Sequence, residues 1–398
     1  MTHGGAAGIR SQVVETTNQG MDRVNELYGD RGFRARDLRS QGKKIIGYFC
    51  CYPPLELMTA LDLVPYRIQG SVHEPITQAD AYLESVMCPF MRSCFDLSLK
   101  GEYDFLDGLV VPHSCDTVLR IHDMWKHYRK PSYTHTLNVP HMVDASSSEF
   151  FKQELKAFQG SLEGYAGRKM TPEDLDRAIE LHNRNRALLH ELYDLRRLEP
   201  PLVSGAEVIR VLVAGMGLPV EEFNRLLRGV IDEVPHRDLR PSPKPRVLVY
   251  GSEIDDDAFI RLVEESGANV VMDDLCTASR SFWDPVEVTR DRLDGLVERY
   301  LEKVHCPRTY RPRAEDREQD WEDRFGYLRD FARDFGVTGV IFYIIRFCDT
   351  YEFDAPDVRD FLEGEGFRVL HLEDDYNLPS LAQLRTRVEA FLETMTPA

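Results

Sequence analysis

Two segments of this chain, LVVPHSCDT at 109–117 and IFYIIRFCDT at 341–350, run apolar and then break abruptly into Cys-Asp-Thr. A short apolar run without polar alternation marks a strand buried on both faces, and such strands need helices packed above and below them. The chain is therefore committed to α/β layers. Cys115 and Cys348 stand where each strand hands over to a helix, and Cys88 stands where a loop does the same. Ligands of open α/β sheets collect beyond the carboxyl ends of the strands. Two Cys-Asp-Thr tips on separate sheets thus have the means to face one another across a cleft.

The rest of the chain supports two such sheets. In 41–145 the strand-like segments KKIIGYFC, VPYRIQG, FLDGLVVP and YTHTLNVP alternate with helical ones, among them PPLELMTALDL and Leu83–Lys100. In 241–398 the segments RVLVYGS, ANVVMDD, GVIFYIIRF and RVLHLED repeat the alternation. The predicted fold class is α/β, with two doubly wound parallel-sheet units of the Rossmann or flavodoxin-like kind. Residues 146–240 have helical periodicity and no strand, with helix starts at Thr171–Pro172 and at a Ser204–Glu207 capping box. This helical segment joins the two units, and the proline- and charge-rich stretch 236–246 is the linker. Residues 1–40 form an N-terminal helical lead-in, with a helix over Val13–Tyr28. The two units resemble an old duplication without a residue-level repeat.

A net charge of −18 excludes nucleic acid as a partner, because phosphate binding needs concentrated Lys and Arg. No apolar run approaches the ~20 residues of a membrane span, and the N-terminus has no secretory apolar core. The chain is read as cytoplasmic, with no membrane partner. Eight cysteines in such a chain are not a disulfide framework, and there is no CxxC pair. The absence of GxGxxG, GxxxxGK[ST], HExxH and GxSxG removes support for NAD binding, P-loop ATP hydrolysis, zincin and serine-hydrolase chemistry.

The thiols remain. Cys50–Cys51, Cys115, Cys276 and Cys348 all follow strand ends. Cysteine is often simply a small buried hydrophobe, which suits Cys94 and Cys276. Cys115 and Cys348 suit that role less well: each precedes an aspartate at a helix start, where the helix N-terminus favours the thiolate. Three meeting thiolates would hold zinc, with His113 as a fourth ligand, or an iron–sulfur cubane with one iron open. Glu56, in the first turn after Cys50–Cys51, either favours the helix dipole or moves a proton at the cleft. His122 and His127, five apart, read as surface or interface histidines. HCPRTYRPR at 305–313 reads as a solvated loop or, alternatively, as a neutraliser of cofactor phosphates.

These residues together resemble the family of 2-hydroxyacyl-CoA dehydratase and class I (ATP-dependent) benzoyl-CoA reductase subunits. The resemblance lies in GYFCCYPPLELMTALDLVPYRIQG (47–70), CPFMRSCFDLSLKGEYDFLDGLVVPHSCDTVLRIHDMWK (88–126), LHNRNRALLHELYDLRRLEPP (181–201), PVEEFNRLL (219–227), HCPRTY (305–310), GVIFYIIRFCDTYEFDAPDVRDFLEGEG (339–366) and LEDDYNLPSLAQLRTRVEAFLE (372–393). It implies a [4Fe-4S] cluster bound by Cys88, Cys115 and Cys348. It also implies a related second subunit in a heterodimer, an acyl-CoA substrate, and an ATP-hydrolysing iron–sulfur activator that injects low-potential electrons for anaerobic radical chemistry. Glu56 falls in the matching Pro-x-Glu stretch, which implies a catalytic proton-transfer role.

RNRALLHELYDLRR and PVEEFN look closer to benzoyl-CoA-type reduction, with (R)-2-hydroxyacyl-CoA dehydration as the alternative. The paired Cys50–Cys51 departs from the one cysteine or none that many members carry. It leaves open a larger or second cluster, as in double-cubane relatives that reduce small molecules. An electron-relay subunit is the other alternative.

Overall fold

The computed structural model describes residues 20–238 and 242–395. All eight expected strands form: β1 Ile45–Tyr48, β2 Val64–Arg67, β3 Gly108–Pro112, β4 Tyr133–Leu137, β5 Arg246–Gly251, β6 Asn269–Asp274, β7 Gly339–Ile345 and β8 Arg368–Asp374. They make two four-stranded sheets, ordered β2-β1-β3-β4 and β6-β5-β7-β8, with every neighbouring pair parallel. The continuously apolar β3 and β7 lie inside their sheets and are buried along their whole length. The edge strand β8 alternates and is partly exposed. In each sheet the chain runs from the first strand to one side, then returns to lay the third strand on the other. Such a reversal opens a crevice at the carboxyl ends of β1 and β3, and likewise of β5 and β7.

Between the sheets run the helices Ala145–Ala166, Pro172–Arg197, Gly205–Gly215 and Val220–Glu233. Thr171 and Ser204 cap two of them, each in a full capping box, with Asp174 and Glu207 as the reciprocal partners. Ser204→Ala removes one partner of that box and is expected to lower stability by about 1 kcal/mol, read from the denaturant midpoint at unchanged slope.

Three local expectations change. Of the helix expected over Val13–Tyr28, residues 13–19 lie outside the described residues; the rest belongs to Met21–Gly29, and a second helix, Phe33–Ser40, follows. The stretch expected to be helical from Leu83 begins its helix only at Pro89, because the residue before a proline is driven out of the helical region. Cys88 accordingly has ψ 119° and stands as the cap of Pro89–Leu99. The helix after Pro53–Pro54 is short, Leu55–Thr59.

The units interlock. Met21–Gly29 packs on Gly205–Gly215 and Val220–Glu233, and Tyr28 donates to Asp256 beyond β5 at 3.0 Å. The helix Arg292–Val297, inserted between β6 and β7, packs on Ala145–Ala166 of the helical segment. Buried residues of both sheets, Val111 and Val340 among them, share one hydrophobic cluster. Among the described residues no helix is long and apolar enough to cross a membrane.

Candidate functional site

The tips of both sheets converge on one cavity of about 860 Å³. The chain beyond β1 supplies Cys50 and Cys51, β3 supplies Cys115, β5 supplies Ser252 and Glu253, β6 supplies Cys276 and β7 supplies Cys348. Cys88 and Cys306 complete the wall, so seven of the eight cysteines line this space. Cys88, Cys115 and Cys348 each cap a helix: Pro89–Leu99, Asp116–Arg129 and Asp349–Gly364. Their placement follows from the strand–helix and loop–helix junctions that carry them. Two junctions are turned by left-handed residues, Cys50 at φ 61° and Phe347 at φ 65°. A non-glycine residue held there stores about 1–3 kcal/mol of strain, a device common at functional sites.

Burial governs the thiols. It pushes Cys88 up to about 12, against the pull of the first-turn amides of Met91 and Phe90. It raises Cys115 against the amides of Val118 and Thr117. Cys348 rises well above the ordinary range through burial and then through the nearby Cys88, Cys276 and Cys115. These groups keep their protons at neutral pH unless a cation takes the proton's place, which is how a thiol becomes a metal ligand. Among the described residues no three His, Cys, Asp or Glu side chains close on a point as ligands of a single ion do. His113, the fourth ligand of the zinc alternative, is absent from the cavity wall.

Cys51, already a candidate for a larger or second cluster, meets a thiol group with Cys276 and Cys306 that was not expected. Cys276 lines the cavity and accepts from Arg280 Nη1 at 3.1 Å, with the Tyr351 hydroxyl at 3.6 Å. The thiol of Cys51 and the buried Arg280 guanidinium hold Cys276 well below the ordinary thiol range. The same contact, with burial, pushes Cys51 up. Cys306 is raised to about 11 by burial and then by Cys276. The reading of Cys276 as a mere small hydrophobe is therefore corrected. Cys94 keeps that role, fully buried inside its helix and not part of the cavity wall.

Two other expectations meet a different geometry. Glu56 is absent from the cavity wall. It is fully buried and accepts from Arg186 Nη2 at 2.7 Å and the Tyr300 hydroxyl at 2.8 Å. Burial alone would raise its carboxyl, but Arg186 and His182 overcome that and hold it at about 2. The stretch 305–313 is not a simple solvated loop, because Arg308 is buried. Its guanidinium donates to the carbonyls of His113 at 2.6 Å and Ser114 at 3.2 Å, and to those of Val139 and Pro140. It thereby ties the second unit to the carboxyl ends of β3 and β4.

Across the seam, Arg67 at the end of β2 donates to Glu253 Oε1 at 2.5 Å and to the carbonyl of Cys50. Gly251, just before, lets β5 lie against β7, since a Cβ there would collide with the Tyr343 carbonyl.

Known proteins place this architecture. The family model described as 2-hydroxyglutaryl-CoA dehydratase, D-component, matches residues 50–395. The chain is 30% identical over 346 residues to a benzoyl-CoA reductase subunit of Thauera aromatica, covering 85% of this chain and 88% of that one. It is 25% identical over 361 residues to the (R)-phenyllactyl-CoA dehydratase beta subunit of Clostridium sporogenes, covering 90% and 94%. With the (R)-2-hydroxyglutaryl-CoA dehydratase beta subunit of Acidaminococcus fermentans the identity is 24% over 360 residues, covering 90% and 94%. The chain belongs to the 2-hydroxyglutaryl-CoA dehydratase D-component family, that of 2-hydroxyacyl-CoA dehydratase and benzoyl-CoA reductase subunits.

Proposed function

We propose that this chain is the iron–sulfur catalytic subunit of an acyl-CoA radical enzyme, with Cys88, Cys115 and Cys348 as the protein ligands of a [4Fe-4S] cluster. The observation that carries the reading is the arrival of three helix-capping cysteines, from junctions on both sheets, at one cavity. The donor set fits: soft sulfur ligands with first-turn amides behind two of them suit iron–sulfur ligation. Bound there, a cluster would supply single low-potential electrons.

The chain's own residues account for the rest. The cavity falls within the size range of small-molecule sites and has room for an acyl group. Arg313 and Arg317 line it from exposed positions and provide positive charge for the phosphates of CoA. Phe353, 85% exposed on the helix that Cys348 caps, suits cover by a related second subunit. The relatives are themselves named as subunits. An ATP-hydrolysing iron–sulfur activator is the proposed electron source. The substrate reading favours benzoyl-CoA-type reduction, supported by the higher identity to that relative, with (R)-2-hydroxyacyl-CoA dehydration as the alternative.

One observation favours a second reading: Cys51, Cys276 and Cys306, with Arg280 on Cys276, form another thiol set in the same cavity. That set suits a larger or second cluster, in an electron-relay or small-molecule-reducing protein.

Anaerobic co-expression with the paired subunit and activator, followed by iron and acid-labile sulfide assays, tests both. The first reading expects roughly four iron and four sulfide per chain, the second about twice that. Metal without sulfide would overturn both. ATP-dependent turnover of benzoyl-CoA against an (R)-2-hydroxyacyl-CoA then decides the reaction.

A further inference from the structure

Ser252 and Glu253 follow β5 directly, as Cys50 and Cys51 follow β1 one residue later in the matching place of the other sheet. Both line the thiol cavity, and they are only 5% and 7% exposed. Glu253 Oε1 is taken by Arg67, but Glu253 Oε2 and Ser252 Oγ have no hydrogen-bond partner. Adjacent buried polar atoms left unpaired are rare in folded proteins, and at a cavity wall they mark the place of a ligand atom. We propose that Ser252 and Glu253 bind a substrate oxygen in this cavity, and that Glu253 gives it a proton as it gains negative charge.

The surroundings suit a carboxyl that carries a proton. Arg67 from β2 faces it, as do Tyr48 from β1, Cys50 beyond it, Cys88 and Cys94 of the first unit, Asp255 from its own loop and Cys276 beyond β6. Burial raises Glu253, and although Arg67 opposes this, Cys276 and Asp255 add to it, leaving the group at about 8. A carboxyl so held, with Oε2 unpaired at the cavity wall, can carry a proton and donate it to an oxygen.

The inference rests on the proposed acyl-CoA reading for its substrate. An acyl thioester that takes one electron from the low-potential iron–sulfur donor carries the charge on its carbonyl oxygen. The Oε2–H bond of Glu253 then breaks and an O–H bond forms on that oxygen. The substrate has gained one electron and one proton. The carboxylate left behind faces the Arg67 guanidinium, which stabilises it. Ser252 Oγ donates to the same oxygen and holds it in place.

The test uses the iron-loaded chain with its paired subunit and activator. Infrared difference spectra of the wild type should show the carbonyl stretch of a protonated carboxylic acid at neutral pH, displaced when acyl-CoA is added. Glu253→Gln should lack that band and keep its iron, with KM little changed. Its kcat should fall by roughly 10²–10⁴-fold and the alkaline limb of its pH profile should vanish. Ser252→Ala should raise KM with a smaller effect on kcat. The inference is overturned if the wild type shows no such band, or if Glu253→Gln retains iron and turns over at the wild-type rate with an unchanged pH profile. The wild-type spectrum needs no variant to fold. A wild type that turns over acyl-CoA without these Glu253 effects sinks this inference alone, whereas one that acts on no acyl-CoA sinks the proposed function.

Discussion

Replacing Cys348 with alanine is expected to strip the anaerobically purified protein of most of its iron, to below roughly a tenth of the wild-type content. Cys348 caps its helix on the second sheet, whereas Cys88 and Cys115 belong to the first unit. Removing it leaves the proposed cluster held from one side only. Cys94→Ala is the control, because Cys94 is fully buried and not part of the cavity wall. Equal losses in both variants would mean that the fold had failed and that ligation was not being measured. Cys276→Ala adds a second arm. Full iron in that variant favours the single cluster, and loss of about half favours the larger one.

Glu56→Gln is expected to destabilise the fold by about 3–5 kcal/mol, because it strands the buried Arg186 guanidinium without its carboxylate. The pH dependence gives an independent reading. A depression from 4.5 to about 2 is worth about 3 kcal/mol of stability, since the folded state binds that proton far less readily than the unfolded chain. The contribution is complete above about pH 4.5 and disappears as the pH falls through about 2. Denaturant titrations across that window should show the wild type losing it and Glu56→Gln showing no such loss from this group. A variant that kept wild-type stability but lost turnover would return Glu56 to catalysis.

The strands were legible because burial on both faces forces an apolar run, as in GLVVP of β3 and GVIFYII of β7. The capped helix starts were legible for an equally local reason, the side chain three residues on, as at Ser204 and Glu207. The glutamates were not. Glu56 lies in the short helix after β1 and Glu253 two residues beyond β5, and the chemistry of neither is written in its neighbours. What separates them is the cation each meets, Arg186 at 130 residues' distance and Arg67 at 186. In the first case the cation closes off the whole carboxylate together with Tyr300; in the second it leaves one oxygen free. Cys276 left a fainter mark. Its arginine partner is four residues on, one helical turn, but Ser279–Phe282 is too short a helix to announce that spacing as significant.

The division of the proposed ligands between two sheets has a consequence for how the protein is made. Cys88 and Cys115 leave the ribosome long before Cys348, and the cavity does not exist until β7 has taken its place beside β5. Insertion of the proposed cluster would therefore follow translation, and every nascent chain passes through a stage at which its thiols are open to oxidants. On the proposed reading, reducing conditions would matter during synthesis as well as during turnover, and retained iron would report that both halves of the chain have closed correctly.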